Sequence, residues 1–214
     1  NQKTSLDILL GVTHIINRRT LTQLNLSHTY STGYLTEPYK ILSVVDGTTG
    51  ATLDYRYEKR PDTRNSDSLY WKLQHQLSED VIYFSYRYFQ DDWGIRSHTM
   101  DLKYRYELNG GNYLQPHYRH YRQTAADFYR HSLVNNQPLP NYASADFRVA
   151  EMTSSTVGLK FGMPLSDGEF NIRFEQMTQM GESHPDDAIG VQRNYDLYPT
   201  LDATIVQIGY STVF

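Results

Sequence analysis

Strict alternation of apolar and polar residues is the feature that most constrains the fold of this chain. Residues 99–108 show it most clearly, because Met100, Leu102 and Tyr104 alternate with Asp101 and Lys103. Successive side chains of a strand point to opposite faces, so this pattern predicts a strand with one apolar and one polar face. Helical periodicity appears nowhere over a useful length. We therefore expect an all-β fold.

About nine segments alternate in this way, and most have the length of a tilted strand that crosses a bilayer. The predicted strands are residues 5–16, 20–30, 68–77, 81–89, 99–108, 113–123, 153–163, 169–177 and 201–214. Their connections alternate between short turns rich in Gly, Asn, Asp or Pro and long segments. The short turns are residues 17–19, 78–80, 109–112 and 164–168, and the long segments are 31–67, 91–98, 124–150 and 181–200. This rhythm is typical of outer-membrane barrels.

Composition excludes several other classes of protein. The chain has 214 residues, a formal net charge of -4 and no cysteine. This charge gives no electrostatic case for binding nucleic acid. Without cysteine there is no disulfide framework, thiolate metal site or cysteine nucleophile. No run of about 20 apolar residues is present that would span a membrane as a helix, whereas a spanning strand needs only about ten alternating residues.

Alternation alone does not tell which face meets water, because a lipocalin-like barrel and a membrane barrel share the pattern. Two features favour water inside and lipid outside. The polar face carries closely spaced charges of both signs, as a wet lumen would: Arg87, Asp101, Lys103, Arg105, Glu107, Arg119, Lys160, Arg173 and Glu175. The apolar face places aromatic residues near strand ends, like the interfacial girdles of membrane barrels: Tyr30, Trp71, Tyr88, Tyr106 and Tyr113.

The last segment gives a third indication. Val206, Ile208, Tyr210 and Phe214 fall on one face of residues 201–214, and the final residue is a phenylalanine. This strand resembles the C-terminal insertion signal of bacterial outer-membrane proteins, which their insertion machinery recognises. We therefore expect residues 1–214 to form a single domain, an antiparallel transmembrane β-barrel in the bacterial outer membrane, in contact with membrane lipid and lipopolysaccharide.

Strand parity leads to a further expectation. If the short turns are periplasmic, residues 5–16 run downward from an outer loop and residues 201–214 end in the periplasm. Bacterial barrels normally close with an even number of strands. An odd count predicts that upstream strands are missing and that the chain is the C-terminal part of a larger barrel. Direct pairing of residues 5–16 with residues 201–214 would contradict this.

Two short blocks carry a family resemblance. The first is Arg-Pro-Asp-Thr-Arg at residues 60–64, and the second is "YRYFQDDWGIRSHT" at residues 86–99. Together they resemble a Gram-negative family of outer-membrane β-barrels that is described as a domain of unknown function. The resemblance runs along most of the chain. It implies the fold and the compartment, and it implies no established activity.

The same blocks predict a motif at the outer rim of the barrel. Asp91, Asp92 and Gly94 are suited to a tight turn, since Asp caps local N–H groups and Gly permits a positive φ. Trp93 is expected in the interface. Arg60, Pro61 and Arg64 are expected to fold inward so that the arginines pair with the two carboxylates. Asp91 and Asp92 are also weak candidates for a calcium site, although no loop has a diagnostic spacing.

The remaining residues indicate no enzyme and no cofactor. His117 and His120 lie three apart, hence on opposite faces of a strand, which disfavours a metal site and leaves His117 as a hydrogen-bonding residue of the lumen. The adjacent Ser–His pairs at residues 27–28 and 97–98 point apart in the same way. Two non-enzymatic functions stay open, with an outer-membrane enzyme as a distant third. The barrel is expected to act as a structural scaffold that holds an envelope protein partner, or else as a passive pore for small polar solutes.

Overall fold

The computed structural model describes residues 2–212 and consists almost entirely of strands and their connections. The strands are β1 (Lys3–Asn17), β2 (Thr20–Gly33), β3 (Ile41–Val45), β4 (Thr52–Tyr57), β5 (Thr63–Gln76), β6 (Val81–Asp91), β7 (Arg96–Glu107), β8 (Tyr113–Gln123), β9 (Leu133–Val134), β10 (Met152–Leu165), β11 (Gly168–Gly181) and β12 (Leu201–Thr212). Three short 3-10 helices span Asn109–Gly111, Phe147–Val149 and Gly190–Asn194. Within the described residues, no helix is long and apolar enough to cross a membrane.

Nine of these strands form one antiparallel sheet in the order β1-β2-β5-β6-β7-β8-β10-β11-β12. They coincide with the nine segments predicted from alternation, so the prediction of a large antiparallel all-β fold is confirmed. Strands β3, β4 and β9 were not predicted. They form a separate three-stranded sheet in the order β4-β3-β9, built from segments of six residues or fewer that lie inside the long connections. Such short segments carry too few alternating positions to be recognised.

Successive connections of the large sheet lie at opposite ends, and the long ones all lie at the same end. Short turns join β1 to β2, β5 to β6, β7 to β8 and β10 to β11. The long segments 34–62, 124–151 and 182–200 join three of the other neighbouring pairs, whereas β6 and β7 are joined by the four-residue turn 92–95, so the expectation of a long segment at residues 91–98 was wrong. Because neighbouring strands are antiparallel, all the long segments emerge at one end of the sheet. We call this the cap end and the opposite end the turn end.

Register keeps the apolar side chains on one face across the large sheet. Leu73, Phe84, Leu102, Tyr118 and Val157 stand directly opposite one another in a single row across five strands. A register slip of one residue in any pair would move a strand's apolar set to the other face. The large sheet therefore has an apolar face and a polar face that run through successive strands.

The apolar face is not covered by protein. Leu10 is 68% exposed, Val157 61% and Ile208 67%, although these residues lie on different strands. Soluble monomers rarely expose continuous apolar patches larger than a few hundred Å². The apolar face of the large sheet is thus open to its surroundings.

The packed apolar core lies in the connections at the cap end. Trp93 and Phe128 meet edge to face with ring centroids 5.2 Å apart, and Ile95, Ala126 and Val149 pack around them. Of the buried apolar residues, Tyr113 belongs to the large sheet, and the others lie in the connections at the cap end: Leu42, Val44, Val45, Trp93, Ile95, Ala126, Phe128, Ala143, Val149, Ala150, Ala188 and Tyr198. The hydrophobic core of the described residues has therefore formed at one end of the sheet.

Backbone hydrogen bonds join the long connections and the turn 92–95 into one body, which we call the cap (residues 34–62, 92–95, 124–151 and 182–200). Strand β3 pairs in parallel with β9, and Lys59 bridges to Ala143. The N–H of Val191 donates to the carbonyl of Thr49 at 2.8 Å. Each long connection thus contacts at least one other, which agrees with their shared apolar core.

The two edge strands of the large sheet, β1 and β12, are not paired with one another in residues 2–212. Both run from the cap end to the turn end, because eight antiparallel steps separate them. The described residues therefore form an open sheet. Pairing of residues 5–16 with residues 201–212, which would have contradicted the expectation of missing upstream strands, is not observed in them.

Candidate functional site

The cap lies over the polar face of the large sheet. A cavity of about 540 Å³ separates them, lined from the sheet by Ser5, Ser31 and Ser66 and from the cap by Glu37 and Arg148. These serines belong to the polar face, since Ser5 is paired with Ser31 and the two hydroxyl oxygens lie 2.8 Å apart. The apolar face is not part of this junction. The polar face and the cap together make the candidate site.

The charged residues predicted for the lumen all lie on the polar face. The register places the members of the set on the same side of β6, β7, β8, β10 and β11: Arg87, Asp101, Lys103, Arg105, Glu107, Arg119, Lys160, Arg173 and Glu175. Many of them pair with a residue of the same or a neighbouring strand. Lys103 lies 3.5 Å from Asp101, and Arg173 lies 3.7 Å from Glu175. Much of the charge on this part of the face is thus neutralised locally.

His117 of β8 joins two of these carboxylates, one on β7 and one on β11. Its Nε2 lies 2.9 Å from Asp101 Oδ2, and its Nδ1 lies 2.7 Å from Glu175 Oε1. Gly158 lies between His117 and Glu175 in the register, and its missing side chain leaves room for the bridge. His120 lies on the other face, where it contacts Ser155 at 3.0 Å. The structure therefore places His117 as a hydrogen-bonding residue of the polar face.

Tyr113 lies on the polar face, so its assignment to an aromatic girdle was wrong. Its hydroxyl donates to Glu169 Oε1 at 2.7 Å, and the Arg105 guanidinium lies 3.7 Å from the centre of its ring. Lys160 lies 3.5 Å from the same Glu169 oxygen. Gly162 is opposite, and a Cβ there would overlap the ring. Tyr113 begins β8 in register with Glu107, and this places it with the charges.

The other predicted girdle residues lie on the apolar face. Tyr30 and Tyr88 are near the cap end, and Tyr106 is near the turn end. Trp71 lies farther from the strand ends, where its Nε1 donates to Thr22 Oγ1 at 2.9 Å and its ring packs on Phe84. In β12, Val206, Ile208 and Tyr210 also share this face and are exposed. Phe214, the end of the predicted insertion signal, lies outside the described residues.

The rim motif forms a tight turn between β6 and β7. Asp91 Oδ1 accepts hydrogen bonds from the N–H groups of Trp93 and Ile95 at 3.1 and 2.8 Å. Its Oδ2 accepts from Arg64 Nε at 2.8 Å, so the expected Arg64–Asp91 contact is present. Gly94 has a φ of 88°, and a Cβ there would overlap Asp127. Only glycine fits this backbone conformation without strain.

Two other expectations about the rim motif were wrong. Trp93 does not lie at an outer surface but is 5% exposed, with Nε1 donating to the Thr63 carbonyl at 2.9 Å. Phe128 covers its ring, because the connection 124–151 folds onto the turn. Arg60 pairs neither with Asp91 nor with Asp92, because its guanidinium contacts other carboxylates inside the cap.

The partners of Arg60 are Glu58 and Asp146. Its guanidinium nitrogens lie 2.7 Å from Glu58 Oε1 and 2.7 Å from Asp146 Oδ2, and all three side chains are buried. Arg148 donates to the same Asp146 carboxylate through Nε and Nη2, at 2.8 and 2.6 Å. This network was missed from the sequence because Arg60 and Asp146 are 86 positions apart. A buried charge of this kind requires a partner, so the network ties two connections of the cap together.

The candidate metal ligands are used in other contacts. Asp91 holds Arg64 and two backbone N–H groups, and Asp92 Oδ2 accepts from Asn65 Nδ2 at 2.9 Å. Within residues 2–212, no group of three or more His, Asp or Glu side chains has the arrangement to hold a metal ion.

A Ser–His–Asp contact in the cap was also missed. Ser132 Oγ lies 3.1 Å from His131 Nδ1, and His131 Nε2 lies 3.1 Å from Asp187 Oδ1. The only signal for this contact in the sequence was the adjacency of His131 and Ser132, together with two acidic residues at 186–187. Ser132 Oγ already accepts from Gln192 Nε2 at 3.0 Å, and the Asp187 side chain is 79% exposed. The contact therefore joins connections 124–151 and 182–200.

The buried Asp146 predicts an acid transition of the cap. Burial raises the pKa of Asp146, but hydrogen bonds from Arg148 and Arg60 outweigh burial and lower it to about 2. Because this lies below the unfolded value of about 3.9, ionised Asp146 stabilises the cap above about pH 4, and the contribution is lost as pH falls towards 2. We expect Trp93 fluorescence, measured in a Trp71→Phe background, to report loosening in that range.

Asp146→Asn lacks this contribution at every pH, so its cap should be less stable at pH 7 and should change less between pH 4 and pH 2. Asp54→Asn removes an exposed carboxyl from the same cap and should keep the parent profile. Equal pH profiles for Asp146→Asn and its parent would contradict the assigned role.

Comparison with known proteins gives one family and no described relative. No curated protein matches the sequence. A family model described as "Protein of unknown function (DUF3570)" matches residues 1–212. The match covers the strands of the large sheet and the connections of the cap alike. The chain therefore belongs to this uncharacterised family.

Proposed function

We propose that this chain is the membrane-spanning sheet of a bacterial outer-membrane β-barrel that acts as a scaffold in a cell-envelope assembly. The observation that carries the proposal is the uncovered apolar face, which continues across neighbouring strands at exposures that a soluble sheet does not tolerate. Acyl chains would cover this face. The polar face, which carries the cross-strand charges, would face an aqueous lumen.

Orientation and closure follow from the same proposal. Membrane barrels have short periplasmic turns and long outer loops, so the cap would face outward, next to lipopolysaccharide. Strands β1 and β12 run in the same direction, and antiparallel closure between them requires an odd number of further strands. We propose that additional strands complete the ring.

Two features favour a scaffold over an open passage. The cap lies over the polar face and is joined to the sheet by hydrogen bonds, including Trp93 Nε1 to the Thr63 carbonyl at 2.9 Å and Gln123 Nε2 to the Ala150 carbonyl at 2.6 Å, which suits a closed end. The cap also exposes an aromatic edge strand, since Tyr55 and Tyr57 of β4 are 63% and 78% exposed. Exposed aromatic residues on an unpaired edge are typical of surfaces that bind another protein. An envelope protein partner would dock there.

A passive pore for small polar solutes is the second candidate. The observation in its favour is that cavities of about 540 and 250 Å³ remain between the cap and the polar face. Charges of both signs line this face, so such a pore would discriminate weakly between anions and cations.

The membrane assignment is tested with Leu102→Arg, at the middle of β7 on the apolar face. We expect a loss of about 2–4 kcal/mol in the free energy of unfolding in lipid vesicles, since an arginine would face the hydrocarbon centre. Ser85→Arg is the matched control, because it adds the same charge to the polar face of neighbouring β6. If the two variants lose equal stability, or if Leu102→Arg inserts as well as wild type, the membrane assignment is wrong.

The scaffold function is tested with a photo-crosslinking residue at position 57 in living cells. We expect discrete adducts with one envelope protein from position 57, and none from position 18 in the short turn at the opposite end. Replacing Tyr55 with serine should reduce the adduct, because it removes a neighbouring aromatic side chain. Adducts of equal yield from both positions, or none from either, would argue against this partner surface.

Conductance of the full-length protein in a planar bilayer separates the two candidates. A scaffold with a closed cap should give no steady ohmic steps, although insertion is verified by heat-modifiable mobility. Steady steps would establish the pore instead, and Arg105→Gln should then alter ion selectivity, because it removes a charge from the polar face.

A further inference from the structure

A second cavity, of about 250 Å³, lies between the cap and the cap-end residues of β6, β7 and β8. Three arginines line it, namely Arg64, Arg87 and Arg148, and no Asp or Glu is among its lining residues. The uncharged polar residues Ser97, Thr99, Tyr121 and Gln123 complete its polar lining. The charged side chains that line this cavity are thus all arginines.

Two of the arginines are held in place by contacts outside the cavity. Arg64 uses Nε and Nη2 on Asp91, at 2.8 and 2.5 Å. Arg148 uses Nε and Nη2 on Asp146, at 2.8 and 2.6 Å. In both residues Nη1 has no partner within residues 2–212. A fixed guanidinium with a free N–H edge loses little entropy when it binds an oxyanion.

Arg87 has neither an ion pair nor a side-chain hydrogen bond in the described part of the chain, unlike the other two arginines. Its neighbours in the register are Tyr70 and Thr99, which are uncharged. Asp101, the nearest carboxylate along β7, already contacts His117 and Lys103. The positive charge of Arg87 is therefore not neutralised locally, whereas Arg105, Lys160 and Arg173, nearer the turn end, each lie against a carboxylate.

We propose that this cavity binds a small oxyanion of the size of inorganic phosphate. Guanidinium groups recognise phosphate and carboxylate oxygens through charge-assisted, often bidentate hydrogen bonds. Drug-sized ligands occupy pockets of roughly 300–1,000 Å³, so a cavity of about 250 Å³ suits a smaller ion. The inference goes beyond the scaffold function, and it requires only that the polar face is wet.

The test is calorimetric titration of the purified full-length protein with inorganic phosphate, in an uncharged detergent at fixed ionic strength. We expect saturable binding with one site. Arg87→Gln should weaken it about tenfold or more, because a charge-assisted hydrogen bond is lost. Arg87→Lys keeps the charge without the planar guanidinium, so its affinity for phosphate should lie between those of wild type and Arg87→Gln. Arg18→Gln removes an equal charge from the turn end and should bind like wild type.

A second readout guards against misfolded variants. Phosphate should slow proteolysis of the cap in wild type and in Arg18→Gln but not in Arg87→Gln, since a ligand stabilises only the state that binds it. Absence of binding by wild type, or equal affinity of Arg87→Gln and wild type, would overturn the proposal. The phosphate measurements use protein in micelles and test only the cavity, whereas the vesicle test of Leu102→Arg addresses the membrane assignment. Either proposal can therefore fail while the other stands.

Discussion

The continuous antiparallel register of the large sheet is the constraint on which the rest of the structure depends. Side chains alternate between the two faces along each strand, and the fixed register places the apolar side chains of neighbouring strands on the same face. The result is one apolar and one charged surface, each extending over several strands. Neither surface exists in any strand alone, and a single slipped pair would bring charges such as Asp101 to the apolar side.

A sheet that leaves its apolar face open needs stabilisation from elsewhere. Here the cap supplies a packed core around Trp93 and Phe128, and the buried Arg60–Asp146 ion pair joins two of its connections. Buried ion pairs seldom add net stability, because desolvation offsets their attraction, but removing one partner costs about 3–5 kcal/mol. The Arg60–Asp146–Arg148 network therefore specifies how the connections meet more than it strengthens the fold.

Alternation was sufficient to predict the nine strands of the sheet, because each strand has enough positions to show its period. The same local rule failed at Tyr113, whose face depends on the register of β8 with Glu107 rather than on its aromatic character. It also failed for Trp93 and Arg60. Their surroundings come from connections distant in sequence, as in the contact of Arg60 with Asp146, 86 positions away. Side chains that meet through tertiary packing leave no local pattern to read.

Buried ion pairs form within the sheet and within the cap, whereas hydrogen bonds such as Trp93 Nε1 to the Thr63 carbonyl join the cap to the sheet. Towards the turn end, Arg105, Lys160 and Arg173 each lie against a carboxylate of the sheet, so that region is locally balanced. At the cap end, Arg64 pairs with Asp91 of β6, Arg148 pairs with Asp146 of the cap, and both arginines line the cavity of about 250 Å³. The ion pairs that position these two arginines therefore lie within the sheet in one case and within the cap in the other. Contact between the cap and the sheet depends on hydrogen bonds, such as those that Gln123 Nε2 of β8 donates to the carbonyl groups of Arg148 and Ala150 at 3.0 and 2.6 Å. Because these bonds hold Arg148 over β8, while Arg64 and Arg87 belong to the sheet, the cavity exists only while the cap stays against the polar face.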